Sequence, residues 1–256
     1  MDPTDLQLRG RVALVTGGSR GIGRAIVDLL AAAGAHVVVN YVNDEQAAEA
    51  TASAARGRGV EALAVRADVA NPLEADKLAQ AAIAKFKRID ILVCNAGIWT
   101  GAPLDQMSEQ LWDMTIDVNL KGTWSVCRAV VPQMKKQRSG KIVIISSTAG
   151  QRGEANYSNY AASKGAQIAF TKSLADELGE WQINVNAVAP GWVDTEMTKE
   201  ALGDSHERER IASTIPLRQI AKPEDIAAPV VFLCSDWARH ITGEILNVNG
   251  GAVLCG

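Results

Sequence analysis

The chain has 256 residues, of which 47% are hydrophobic and 21% are charged, and its formal net charge is −3. This composition is typical of a soluble globular protein, and the charge argues against nucleic acid or an anionic membrane as a partner. No apolar segment is long enough to cross a bilayer, and residues 1–8 lack the apolar core of a signal peptide, so we expect a cytoplasmic protein.

The four cysteines, Cys94, Cys127, Cys234 and Cys255, do not lie at the spacing of metal ligands, and the three histidines are scattered. Cys94 and Cys127 sit in apolar segments, where a cysteine usually behaves as a small hydrophobic residue. We therefore expect reduced thiols and no metal centre.

Short, apolar, β-branched segments alternate along the chain with Ala-rich amphipathic segments. The first kind predicts strands over residues 11–16, 36–41, 62–67, 89–94, 141–147, 183–189 and 245–248. The second kind predicts helices over residues 21–33, 45–58, 73–86, 108–137, 157–178 and 223–234. The strand segments are mostly apolar throughout, as strands buried on both faces are.

This alternation predicts an α/β fold, a single-domain Rossmann-type doubly wound parallel sheet of about seven strands flanked by helices. No linker, repeat or low-complexity tract divides residues 1–256, so we expect one domain. The longest interruption, residues 192–216, follows the sixth predicted strand, where such folds place a substrate lid.

A glycine-rich sequence joins the first predicted strand directly to the first predicted helix. It reads Thr16-Gly17-Gly18-Ser19-Arg20-Gly21-Ile22-Gly23. Glycines allow a tight turn and let a pyrophosphate approach the positive N-terminus of the helix. A simple glycine-rich turn has the same composition, but the strand–loop–helix context favours a dinucleotide site.

The end of the second predicted strand favours NADP(H) over NAD(H). An acidic residue there would bind the ribose 2′-hydroxyl and repel a 2′-phosphate. This chain has Asn40 and Tyr41 instead, with no carboxylate before Asp44, and Arg20 can offer a guanidinium to a phosphate. NAD(H) stays the alternative, with Arg20 a solvated loop residue.

Two tyrosines stand close together, but only Tyr160 has a lysine, Lys164, four residues later on the same helix face. A phenol is a poor base at neutral pH, and a nearby ammonium lowers its pKa. Tyr160 can then donate a proton to a nascent alkoxide or accept one from an alcohol. Tyr157 is followed by Ala161 and lacks this partner.

These motifs resemble those of the short-chain dehydrogenase/reductase family, and the resemblance extends from Gly10 to Gly251. The resemblance implies an NAD(P)-dependent enzyme that acts on a carbonyl or a secondary alcohol. The implied catalytic residues are Asn119, Ser147, Tyr160 and Lys164. Ser147 is preferred to its neighbour Ser146 because it lies thirteen residues before Tyr160, the usual interval in the family.

The resemblance also implies a role for each part of the site. Ser147 would orient the carbonyl oxygen, and Asn119 would hold a water that links Lys164 to solvent. Lys164 would also bind the nicotinamide ribose. The implied cofactor-binding residues are Gly17, Ser19, Arg20, Gly21, Ile22, Gly23, Asn40, Tyr41, Asp68, Val69, Asn95, Ala96, Gly97, Tyr160, Lys164, Pro190, Gly191, Val193 and Thr195.

Among family members, the chain is most similar to bacterial 3-oxoacyl-[acyl-carrier-protein] reductases of fatty acid biosynthesis. By hand alignment, the two arginine positions associated with docking the acidic carrier protein are Pro132 and Asp176, so docking of acyl carrier protein is uncertain. A small-ketone, sugar-alcohol or acetoacetyl-CoA reductase is the alternative. In each case the substrate pocket is expected to include Trp99, Ser147, Gln151, Tyr160 and Trp192.

Two further expectations concern function class and assembly. A non-catalytic dinucleotide-binding sensor is less favoured, because such proteins typically lose the site's Tyr, Lys or Ser. The long predicted helices 108–137 and 157–178 carry more apolar surface than one sheet face needs. With residues 244–256, they are expected to form the interfaces of a homotetramer.

Overall fold

Seven parallel strands form one sheet in the computed structural model of the protein, which describes residues 6–254. Cys255 and the end of the expected interface segment 244–256 therefore lie outside the described residues. The strands are β1 (Val12–Val15), β2 (His36–Tyr41), β3 (Ala62–Arg66), β4 (Ile91–Cys94), β5 (Gly140–Ile145), β6 (Ile183–Pro190) and β7 (Ile245–Val248). Their order in the sheet is β3-β2-β1-β4-β5-β6-β7, with every neighbouring pair parallel.

Helices connect the strands on both faces of the sheet. They are α1 (Gly21–Ala32), α2 (Glu45–Arg56), α3 (Pro72–Phe86), α4 (Glu109–Ile116), α5 (Gly122–Gln137), α6 (Ala149–Arg152), α7 (Ser158–Leu178), α8 (Ser205–Thr214) and α9 (Pro223–Cys234). No helix within residues 6–254 is long and apolar enough to span a membrane.

Alternate residues of each strand enter two separate hydrophobic cores, because successive side chains point to opposite faces. Ala13 and Val15 of β1 pack in one core with α1, α2 and α9. Leu14 packs in the other core with α3, α5 and the C-terminal end of α7. The sheet is therefore doubly wound, and the predicted fold class is confirmed.

Two of the longer segments differ from the sequence-based prediction. Residues 108–137 are not one helix, because a π-helical turn, Asp117–Lys121, separates α4 from α5. The segment 192–216 contains a mostly polar helix, α8, that the sequence did not predict. Leu202 and Ile211 anchor this segment, with 4% exposure each.

The strand order determines where a ligand can bind. β1 lies between β2 and β4, so the connections that follow β1 and β4 leave the sheet in opposite directions. A crevice opens at the carboxyl ends of strands at such a switch point. The segments that follow β1, β4, β5 and β6 all meet there.

Candidate active site

A cleft of about 470 Å³ lies at this switch point. This volume is in the range of small-molecule sites. Its lining comes from the glycine loop, the ends of β2 and β3, the segments after β4, β5 and β6, and the first turns of α7. Of the nineteen expected cofactor residues, all except Gly23 line it.

Gly23 lies behind the cleft, where a side chain would not fit. A Cβ atom on this residue would lie 2.2 Å from the Gly17 carbonyl oxygen and 2.5 Å from Asn95 Nδ2. Asn95 Nδ2 donates to the carbonyl oxygens of Thr16 (3.0 Å) and Gly17 (3.1 Å). Asn95 therefore ties the end of β4 to the glycine loop, and Gly23 allows α1 to pack against both.

Asn40 organises the same loop from the β2 side. Its side chain is 1% exposed, and Oδ1 accepts a hydrogen bond from the Gly17 N–H at 3.3 Å. Nδ2 donates to the carbonyl oxygens of Tyr41 (3.3 Å) and Ala67 (2.9 Å). The polar atoms of this amide are bonded to backbone groups. Arg20, by contrast, is exposed and lines the same cleft.

Tyr160 and Ser147 meet on the wall of the cleft, where their hydroxyl groups share a hydrogen bond. Ser146, by contrast, is 3% exposed and donates from Oγ to the Lys164 carbonyl oxygen at 2.9 Å. This difference supports the choice of Ser147, which pairs with Tyr160, over the buried Ser146.

Burial shifts the pKa values of both Tyr160 and Lys164. Desolvation raises the pKa of Tyr160 to about 12, despite the hydrogen bond from Ser147, which lowers it. Desolvation also lowers the pKa of Lys164 to about 8. The expectation that Lys164 lowers the pKa of Tyr160 is wrong, because the cost of burying a phenolate raises that pKa above its ordinary value.

Lys164 is held deep in the site. It is 4% exposed, and its Nζ donates to the Ile145 carbonyl oxygen at 2.7 Å. Nζ lies 5.7 Å from the centre of the Tyr160 ring. A lysine has three N–H donors, so this geometry leaves Lys164 with donors for other partners at the cleft.

Asn119 lies in the π-helical turn and is fully buried, outside the lining of the cleft. Its Nδ2 donates to Ser163 Oγ at 3.0 Å. Its backbone carbonyl oxygen accepts hydrogen bonds from Thr123 Oγ1 and Gln167 Nε2, both at 2.8 Å. The geometry supports a clamping role for Asn119. Both lone pairs of this backbone oxygen accept hydrogen bonds from protein groups. That Asn119 holds a relay water therefore stays a prediction.

Aromatic residues form the substrate end of the cleft. Trp99 stacks on Tyr157, with ring centres 4.7 Å apart, and meets Trp192 edge-on at 5.7 Å. Trp99 and Trp192 line the cleft as expected. Gln151 is placed differently, because its Nε2 donates to Asn247 Oδ1 on β7 at 2.6 Å.

The sequence analysis missed two charged residues that line this end, Arg152 and Glu154. A local signal existed, since both lie between Ser147 and Tyr160. The direction in which these two side chains point depends on the short helix α6, which the sequence pattern did not predict.

The chain is similar to known enzymes over nearly its whole length. A family model described as "Enoyl-(Acyl carrier protein) reductase" matches residues 17–253. A "3-oxoacyl-[acyl-carrier-protein] reductase" of Synechocystis sp. is 44% identical over 96% of this chain and 98% of its own. A "3-oxoacyl-[acyl-carrier-protein] reductase FabG" of Staphylococcus aureus is 44% identical over 94% of this chain and 98% of its own.

Solved structures show the same likeness. A crystal structure from Sinorhizobium meliloti, provisionally described as a short-chain alcohol dehydrogenase, matches with a TM-score of 0.92 at 37% identity. The match covers 96% of this chain and 98% of that one.

Proposed function

The chain belongs to the short-chain dehydrogenase/reductase family, and we propose that it reduces the 3-oxo group of an acyl thioester with NADPH. Membership makes it an oxidoreductase of carbonyl and alcohol groups that uses a nicotinamide dinucleotide. The observation that carries the choice of substrate is the 44% identity, over nearly the full chain, to relatives named as 3-oxoacyl reductases.

The site geometry fits carbonyl reduction. Bound NADPH supplies the hydride. Ser147 would donate a hydrogen bond to the carbonyl oxygen, and Tyr160 would donate the proton. With its pKa near 12, Tyr160 is protonated at neutral pH, which is the state an acid in the reductive direction needs. Lys164, whose Nζ lies 5.7 Å from the centre of the Tyr160 ring, would bind the nicotinamide ribose.

Two observations support NADPH as the preferred form of the cofactor. The end of β2 presents the amide of Asn40, whose polar atoms are bound to backbone, in place of a carboxylate that would repel a 2′-phosphate. Arg20 lines the cleft and is exposed, so its guanidinium is available to a phosphate.

Reduction of a carbon–carbon double bond is the alternative suggested by the description of the matching family model. The hydrogen-bonded pair of Ser147 and Tyr160 favours the carbonyl reaction, because two neighbouring hydroxyls can both donate to a developing alkoxide. The presence of Ser147, Tyr160 and Lys164 in one cleft also disfavours a non-catalytic sensor.

One exposed charge disfavours acyl carrier protein as the carrier of the thioester. Asp176, at one of the two positions associated with docking, is exposed, and its negative charge would repel an acidic partner. Lys135 and Arg138, which could compensate, lie over the Trp181 ring at 5.3 and 5.4 Å, and Lys135 also pairs with Glu177. A coenzyme A thioester or a small ketone is the second candidate for the substrate.

Three further features complete the proposal. Segment 192–216 serves as a lid, since Trp192, Thr195 and Met197 within it line the cleft. Trp112 and Trp124, 38% and 42% exposed on α4 and α5, supply apolar surface for a homotetramer. A cytoplasmic location fits Cys94 and Cys127, whose sulfur atoms lie 3.8 Å apart as free thiols.

A parallel assay tests the proposed reaction. Acetoacetyl-CoA, acetoacetyl-[acyl carrier protein], crotonyl-CoA and small ketones are each incubated with NADPH, and loss of the reduced-nicotinamide absorbance is followed. We expect turnover of the acetoacetyl thioesters and none of crotonyl-CoA. Turnover of crotonyl-CoA alone, or of no thioester, would overturn the proposal.

A further inference from the structure

Glu154 places a carboxylate in the same cleft as the proposed acid. It lies in the connection between α6 and α7, and it lines the same cleft as Tyr160, Trp99 and Arg152. Its charge acts on Tyr160, since it contributes to the raised pKa of that phenol. Neither the proposed hydride transfer nor the proposed proton transfer uses this carboxylate.

A rigid aromatic group holds Glu154 in place. The Trp99 indole N–H donates to its carboxylate. Trp99 itself is fixed by its stack on Tyr157, at an interplanar angle of 10°, and by the edge of Trp192. Gly101 closes the packing, because a Cβ atom there would lie 2.5 Å from the Tyr157 ring.

The carboxylate is partly removed from water. Burial raises the pKa of Glu154, whereas the bond from Trp99 and the charge of Arg152 lower it. Arg152 is exposed, so water screens its charge. A carboxylate offers about four acceptor positions, and the indole uses one. A half-buried acceptor of this kind favours a ligand that brings a hydrogen-bond donor.

We propose that Glu154 is a specificity-determining residue that excludes substrates with a negative charge near the reacting carbonyl and favours those that carry a hydrogen-bond donor there. The donor is a hydroxyl, an amide N–H or an ammonium group. The inference rests on the proposed carbonyl reduction and narrows its substrate to neutral or cationic carbonyl compounds. A 3-oxoacyl thioester, which carries no charge near its ketone, satisfies this condition, whereas the free 3-oxo acid does not.

Three ketones of nearly equal size test the proposal. Hydroxyacetone carries a donor beside the carbonyl, 2-butanone carries a methyl group there, and pyruvate carries a negative charge. We measure kcat/KM of each with saturating NADPH, and use the inhibition constant against an acetoacetyl thioester for any ketone that turns over too slowly. The wild-type order is expected to be hydroxyacetone, then 2-butanone, then pyruvate.

Glu154→Gln keeps the shape and an acceptor oxygen but removes the charge. Without the charge the repulsion of the pyruvate carboxylate is lost, so the pyruvate to 2-butanone ratio should rise about tenfold or more in this variant. The hydroxyacetone to 2-butanone ratio should fall. Glu180→Gln is the matched control, since Glu180 is exposed and lies outside the lining of the cleft, and its ratios should equal those of the wild type.

Unchanged ratios in Glu154→Gln would overturn the inference. The acetoacetyl thioester, assayed in the same series, separates this failure from failure of the proposed function. If the thioester is reduced and the ratios stay constant, the function stands and the role of Glu154 falls. If the ratios shift as expected while the thioester is not reduced, Glu154 keeps its role and the thioester assignment falls.

Discussion

The side chain of Asn119 binds the backbone of Ile98 through two hydrogen bonds. Oδ1 accepts from the Ile98 N–H at 2.8 Å, and Nδ2 donates to the Ile98 carbonyl oxygen at 3.0 Å. Ile98 follows the Asn95-Ala96-Gly97 segment and precedes Trp99. One buried amide in the π-helical turn therefore positions the loop that joins the cofactor end of the cleft to the substrate end.

Asn119→Ala should disturb this loop and destabilise the fold. The substitution leaves the Ile98 N–H and C=O without their partner, and an unsatisfied buried polar group costs about 1–3 kcal/mol. We expect a lower free energy of unfolding in a urea titration, together with a higher KM for NADPH. Wild-type values for both would show that the clamp does not position the loop.

Gly23→Ala should destroy the cofactor end of the cleft. The added Cβ would lie 2.2 Å from the Gly17 carbonyl oxygen, so either the glycine loop or α1 must move. Gly179→Ala is the control, since a Cβ there meets no atom within 4 Å and its φ of −58° suits alanine.

Fluorescence titration with NADPH and thermal unfolding check this pair of variants. We expect Gly23→Ala to lose NADPH affinity and thermal stability, whereas Gly179→Ala should stay within about 1 kcal/mol of the wild type. Equal behaviour of the two variants would refute the steric argument.

Much of this architecture could be predicted from the sequence, because local patterns determine it. The predicted strands 36–41 and 245–248 coincide with β2 and β7, and the other strands differ by one or two residues at their ends. Continuous apolar segments identify buried strands directly. The sequence also predicts the glycine loop and the Tyr160–Lys164 pair, since both depend on spacing over a short stretch of chain.

The features that were missed depend on contacts between distant segments. The π-helical turn exposes the Asn119 carbonyl to Gln167, which lies 48 residues later. Gln151 turns toward Asn247 on β7, 96 residues away, instead of into the cleft. The raised pKa of Tyr160 follows from burial, which the spacing of tyrosine and lysine does not reveal.

Arg20→Ala should change cofactor preference. If Arg20 binds the 2′-phosphate, kcat/KM should fall about tenfold or more with NADPH and stay near the wild-type value with NADH. Arg24→Ala is the matched control, because Arg24 pairs with Asp28 on α1 and lies outside the lining of the cleft. Equal losses with both cofactors in Arg20→Ala would contradict the 2′-phosphate role.

Lys164→Met should stabilise the fold at neutral pH while abolishing activity. Burial lowers the pKa of Lys164 from 10.5 to about 8, which corresponds to about 3 kcal/mol of unfavourable free energy in the charged, folded protein. The lost hydrogen bond to Ile145 offsets about 1 kcal/mol of the gain.

The pH dependence gives the sign of this effect. Between pH 8 and 10.5 the unfolded chain binds a proton at Lys164 that the folded protein has released, so wild-type stability from this group rises with pH. Urea titrations at pH 7 and pH 10 should therefore show an advantage of Lys164→Met that shrinks at the higher pH. A constant or growing advantage would show that Lys164 is not a buried cation.

The central claim, that Tyr160 donates the proton in an NADPH-dependent carbonyl reduction, is tested by a single-turnover experiment. Wild type and Tyr160→Phe, each saturated with NADPH, are mixed with an acetoacetyl thioester, and nicotinamide oxidation and 3-hydroxybutyryl product are both followed. We predict equal amounts of oxidised cofactor and product in the wild type. In Tyr160→Phe the rate should be about a hundredfold to ten-thousandfold lower, with NADPH binding retained. A rate in Tyr160→Phe close to that of the wild type would contradict the account.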